Sequence, residues 1–111
     1  MSTNSKKKIN SKVKGDGGER EWAKYLRDHG IGARRGVQYQ GGPGSPDVVS
    51  ELDNVHFEVK RVERLNIYKA MKQAKEDAGT KFAMVAHRKN HKKWLLTMTA
   101  DDFMKILKEK D

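Results

Sequence analysis

The stretch Ser45–Arg61, SPDVVSELDNVHFEVKR, limits the fold of this chain more than any other. Its alternation predicts two strands, Asp47–Leu52 and Val55–Lys60. They join at Asp53-Asn54, residues that tolerate the φ > 0 of a tight hairpin turn. A two-residue turn sets Leu52 opposite Val55, Val49 opposite Glu58 and Asp47 opposite Lys60. Directly paired residues share a face, so Val48, Leu52, Val55, Phe57 and Val59 form an apolar, core-directed surface. The reverse face collects Asp47, Val49, Glu51, His56, Glu58 and Lys60. Carboxylates and an ammonium therefore stand together on the back of an apolar strand pair.

That grouping suits metal-assisted cleavage of a phosphodiester. Hard Mg²⁺ takes oxygen ligands and is usually held by one or two carboxylates plus substrate phosphate. Such an ion polarises the phosphoryl group and activates a bound water, and a neighbouring lysine can orient that water and offset developing charge. Pro46-Asp47, then about ten residues, then Glu58-Val59-Lys60 resembles the signature of the PD-(D/E)XK nucleases. The residues alone also fit a solvated hairpin whose outer face is merely charged, because E-x-K is common on strands.

Composition narrows the partners. The chain has 111 residues, a net charge of +9 and no cysteine. Its length suits one domain. The charge favours a polyanion, nucleic acid first, although a domain that is simply basic has the same composition. Without cysteine there are no disulfides or thiolate metal sites, which fits an intracellular setting. The longest apolar run, Phe82–Ala86, is far too short to span a membrane. Met1–Lys14 carries five lysines and no acid, and reads either as an electrostatic arm for a phosphate backbone or as a solubilising tail. Residues 15–111 are expected to form the single domain.

After Gly15–Gly18 a helix is expected to His29, with Gly30 just past its end. Trp22, Ala23 and Leu26 mark its buried stripe, and Glu19 shares that stripe whereas Glu21 points elsewhere. An inward glutamate is costly unless it is paired, metal-bound or at the solvated helix start. A strand over Ile31–Gly36 follows, on which Arg34 and Arg35 alternate; Arg35 is the one expected to face Asp47. The order Lys14-Gly15-Asp16-Gly17-Gly18-Glu19-Arg20-Glu21, Arg34-Arg35, Pro46-Asp47 and Glu58-Val59-Lys60 resembles archaeal and phage-type Holliday-junction resolvases. The resemblance implies Glu19, Asp47 and Glu58 as metal or water carboxylates and Lys60 as the catalytic lysine. Arg20, with Arg34 or Arg35, would lie near phosphate. It further implies Mg²⁺, with Mn²⁺ able to substitute, four-way or otherwise branched DNA as partner, and products carrying 5′-phosphate. The setting would be cytoplasmic, in a prokaryote or encoded by a phage.

Between Gly36 and Pro46 the glycine-rich loop carries Tyr39, which is either a DNA contact or incidental. Arg61 opens a basic segment leading to a helix over Asn66–Ala78, capped by Asn66 and ended by Gly79. Ile67, Ala70, Met71, Ala74 and Ala78 form its buried stripe, bordered by Gln73. Many PD-(D/E)XK nucleases place a glutamine there near the site, while a solvated glutamine fits the residues equally well. Lys81–Ala86 and Trp94–Met98 are apolar enough to be central strands. The basic link His87–Lys93 suits phosphate or solvent better than metal. Thr99 caps a last helix to Lys108, docked by Phe103, Ile106 and Leu107.

The expected architecture is α/β (α+β): a restriction-endonuclease-like αβββαβ core, a mixed central sheet flanked by helices, and a closing helix. The expected function is Mg²⁺-dependent, structure-specific DNA cleavage by a homodimer, since a four-way junction needs two symmetric cuts. A repair or restriction-type endonuclease and a non-catalytic nucleic-acid-binding module are the other readings.

Overall fold

Helical spacing of Trp22, Ala23 and Leu26 puts three apolar side chains on one stripe, and all three are buried. The computed structural model describes residues 17–36 and 47–109, and residues 17–28 form this helix, α1. It ends as expected at Gly30, whose φ of 87° is costly for any residue with a Cβ. Then follow β1 (Ala33–Arg35), β2 (Val48–Ser50), β3 (Val55–Lys60), α2 (Ile67–Ala78), β4 (Phe82–His87), β5 (Leu95–Thr97) and α3 (Ala100–Glu109). The strands make one mixed sheet in the order β1-β2-β3-β4-β5. Only the β3–β4 pair is parallel, as a strand–helix–strand crossover through α2 requires.

The sheet has a core on each side. Toward α1, Val48, Phe57, Val59, Met84 and Ala86 meet Trp22, Ala23 and Leu26. Trp22 anchors this layer, with Phe57 edge-on at 5.4 Å and Trp94 tilted at 5.0 Å between ring centroids. Toward α2, Ala83 and Val85 meet Ala70, Met71, Ala74 and Ala78. The stripe of α2 is the expected one. Its N-cap is Asn66, which accepts from Lys69 N at 3.1 Å, and its cap glycine is Gly79 at φ 63°.

Three expectations change. Val48 pairs with Phe57, two residues away from the tight-hairpin register. The turn still centres on Asp53-Asn54, with Val55 N donating to Leu52 O at 3.2 Å. Neither Asp53 nor Asn54 has positive φ. Glu51 is drawn toward β1, its N–H donating to Gly32 O and its carboxylate accepting from Gly32 N. Leu52 therefore leaves the sheet and is 36% exposed, outside the core. Because the shift is even, every other side chain keeps its face.

β5 is an edge strand rather than a central one, since β3 and β4 occupy the middle and β5 turns back antiparallel. Leu95 and Leu96 are accordingly exposed. α3 starts at Thr99, whose hydroxyl accepts from Asp102 N at 3.1 Å. It docks through Ile106, on the α1-side core, and Asp102, paired with Lys75 of α2. Phe103 and Leu107, expected to dock it, are exposed. Among the described residues no helix is long and apolar enough to cross a membrane.

Candidate active site

Asp47 sits where β2 begins. Its carbonyl accepts from Gly36 N at 2.8 Å, continuing the β1–β2 ladder. Its carboxylate Oδ2 accepts from Val59 N, also at 2.8 Å. This aims the carboxylate at the backbone between Glu58 and Lys60. Glu58 is buried on the α2-facing side of β3, with Lys60 Nζ 3.5 Å from its Oε2. Burial pushes the Asp47 carboxyl up to about 6; the Val59 N–H opposes this, the Glu58 charge adds to it, and Lys60 and His56 partly offset it. Among the described residues, two carboxylates and one ammonium meet in a half-dry pocket. That donor set fits a divalent cation held through oxygen.

The structure brings together Asp47, Glu58 and Lys60. Glu19 lies on the buried stripe of α1 as expected, and its carboxylate is 3.6 Å from Arg35 Nε. Arg35 pairs with Val48 across β1–β2 and so points to the α1 side. Arg34 pairs with Val49, on the face of the acids. The expectation for the two arginines is thus reversed, because register rather than sequence position sets the face. Glu19 nevertheless stands at the Asp47 end of the sheet, since Arg35 adjoins Gly36. The start of α1 also touches the end of β3: a Cβ on Gly18 would lie 2.6 Å from Arg61 Cβ.

Arg61, expected on DNA, is held inside the protein. Its Nε donates to Glu21 at 2.9 Å, and Arg88 grips the other oxygen of the same carboxylate. Glu21, which the helix phase had turned away from the core, is the knot tying α1 to the ends of β3 and β4. Arg20 is exposed, and so is Gln73, which no hydrogen bond ties to Asp47, Glu58 or Lys60 among the described residues. Lys14 and Tyr39 lie outside the described residues.

Two groupings are completed by residues that the sequence did not join to them. His56, two residues before Glu58 on the same strand face, is buried, and its Nε2 is 3.8 Å from Glu58 Oε1. Asp77 of α2 joins them; its spacing from Ala70 and Ala74, seven and three residues, was the available signal. Beyond the C-terminal ends of β3 and β4 opens a cleft of about 660 Å³ lined by Arg64, Arg88, Lys89, Lys92 and Lys93, with Glu63 among them. Glu63 accepts from Asn90 N at 2.8 Å and so fixes the basic link against the segment after β3.

A family model described as archaeal Holliday junction resolvase (Hjc) matches residues 10–108, nearly the whole chain. The chain belongs to the Hjc family. Its function is Holliday junction resolution, and its activity is metal-dependent endonucleolytic cleavage of DNA. The fold is similar to that of the Hjc of Archaeoglobus fulgidus, a Holliday junction resolvase from an archaeal hyperthermophile whose structure was solved at 1.6 Å. Identity is 24%, coverage is 72% of each chain and the TM-score is 0.53. No curated protein matches. Asp47 stands at the start of β2 and Glu58 and Lys60 lie on β3, the strands that the motif spacing had singled out.

Proposed function

We propose that this Hjc chain cuts four-way DNA junctions at a centre built from Asp47, Glu58 and Lys60. The observation that carries the reading is the Asp47 carboxylate, half-buried near Glu58 and aimed at the Val59 N–H beside Lys60. Asp47 and Glu58 would hold Mg²⁺, which Mn²⁺ can replace, and the bound ion polarises the scissile phosphate and acidifies water. Lys60, restrained by Glu58, orients the attacking water and meets the charge that develops on the phosphoryl oxygens. Glu19 would take a second metal or a water ligand from the start of α1, with Arg35 beside its carboxylate. Arg34 and Arg20, both exposed, contact phosphate, joined by Lys14, Tyr39 and the basic cleft beside Arg64. Gln73 is exposed and would act only on water or phosphate that reaches α2. Arg61 supports the site through Glu21 more than it touches DNA.

The active unit is a homodimer on DNA, residues 1–14 are a basic arm before a single nuclease domain, and the products carry 5′-phosphate. A cysteine-free, basic enzyme of DNA suits the cytoplasm. The deciding experiment incubates labelled duplex, single strand and four-way junction with and without Mg²⁺, using wild type, Asp47→Asn and Glu58→Gln. Wild type cuts the junction only with metal, and both variants bind it without cutting. Near wild-type cleavage by either variant would remove that residue from the centre.

A further inference from the structure

We propose that His56, Glu58 and Asp77 form a second cation site, selective for a divalent transition ion of the Zn²⁺ or Co²⁺ kind. Each offers one ligand atom, and these atoms lie within 4.8 Å of one another. His56 carries the argument. The residue is 5% exposed, and its Nε2 is buried, makes no hydrogen bond and lies 3.8 Å from Glu58 Oε1. A buried polar atom left without a partner is destabilising, so a native structure that keeps one usually fills it with something.

A proton or a metal ion can satisfy an imidazole nitrogen that faces carboxylates. The donor geometry favours the metal. Tetrahedral zinc with N and O ligands at about 2.0–2.2 Å needs donors roughly 3.4 Å apart, and the His56–Glu58 separation is already close to that. Asp77 completes the set from the last turn of α2 and is partly exposed. A cleft of about 400 Å³ lined by Val49, Ser50, His56, Asp77 and Lys81 gives the ion a way in and leaves room for water as fourth ligand. Lys81 on that rim and Lys60 beside Glu58 offset the charge of the two carboxylates, so the ion would be held by its ligand bonds rather than by a net negative field. The imidazole sets the selectivity. Mg²⁺ prefers an all-oxygen shell, whereas Zn²⁺, Co²⁺ and Ni²⁺ accept nitrogen readily.

Glu58 belongs to both sites, with Oε1 toward His56 and Oε2 toward Lys60. An ion held by His56 and Asp77 therefore draws on the same carboxylate as the nuclease centre, and Zn²⁺ should depress Mg²⁺-dependent cleavage. This consequence rests on the proposed role of Glu58; the binding itself does not.

The test titrates the full chain, free of DNA, with Co²⁺ by visible absorption and with Zn²⁺ by calorimetry. Wild type takes up one ion with the intense absorption of low-coordinate Co²⁺. Asp77→Asn and His56→Gln each weaken that event by at least about tenfold, and Asp47→Asn retains it. Asp77 is partly exposed, so its isosteric variant keeps the fold even if His56→Gln does not. Equal affinity in wild type and Asp77→Asn, or no uptake by wild type, overturns the site; so does a proton-only response in which the His56 ring resonance titrates with pH and ignores Zn²⁺. In parallel cleavage assays Zn²⁺ inhibits wild type and spares Asp77→Asn. If Mg²⁺ supports no cleavage in either while the Zn²⁺ binding difference persists, the nuclease assignment fails and the cation site stands.

Discussion

Asp47, a residue of the proposed centre, carries a stability cost. Its carboxyl is pushed up to about 6 in the folded state from an ordinary 3.8, chiefly by burial. The folded protein therefore binds more protons than the unfolded chain between those values. Its stability contribution is fully present below about 3.8 and is lost as pH rises through about 6, a loss on the order of 3 kcal/mol for the metal-free protein. Asp47→Asn cannot ionise there. Urea melts of metal-free protein should show the variant gaining on wild type as pH rises from about 4 to about 7. A stability gap that does not change across this range would mean that the carboxylate is not strained. Divalent cation should restore wild-type stability at neutral pH, because it binds the ionised form.

At the scale of elements, the site depends on how α1 seats against the ends of β3 and β4. Gly18 allows the close approach, and Glu21 locks it through Arg61 and Arg88. From helix phase alone Glu21→Gln should be nearly silent. The structure predicts otherwise: an amide cannot serve two guanidiniums, and Arg61 is largely buried. Glu21→Gln should cost about 1–3 kcal/mol in urea unfolding and slow cleavage more than it weakens junction binding. A variant indistinguishable from wild type in both measurements would reduce this network to a surface ion pair.

For the whole molecule, the proposed homodimer rests on a single site on a small domain and on a proposed four-way substrate that needs two cuts. Leu96 shares its strand face with Trp94 and Met98, and it is exposed at the open edge of the sheet, while Phe103, Met104 and Leu107 of α3 are exposed as well. Such an apolar surface suits a second copy. Leu96→Glu with Phe103→Glu should sediment as a folded monomer that no longer makes paired cuts. Mixed wild-type and Asp47→Asn chains should nick one strand of a junction in supercoiled plasmid; only uncut and doubly cut products after verified subunit exchange would exclude paired sites. Removing residues 1–13 should weaken binding and flatten its salt dependence by roughly one counterion for each phosphate the arm had neutralised. An unchanged slope would place the lysine arm away from the DNA.

What the sequence determined by itself was local. Period-two alternation placed Glu58 and Lys60 opposite Phe57 and Val59, and an even register shift left that assignment intact. Helical spacing and caps did the same for Trp22 and Leu26, for the alanine stripe of α2 between Asn66 and Gly79, and for Thr99 at the start of α3. Tertiary structure alone decided the register, and with it that Arg34 shares the face of Glu58 while Arg35 turns to Glu19. It also left β5 at an edge, gave Glu21 partners 40 and 67 residues away, and closed Asp77 onto His56 and Glu58. Alternation and capping are set within a few residues of backbone geometry. Which charged group meets which across the sheet depends on strand order and helix seating, which come from packing the two cores.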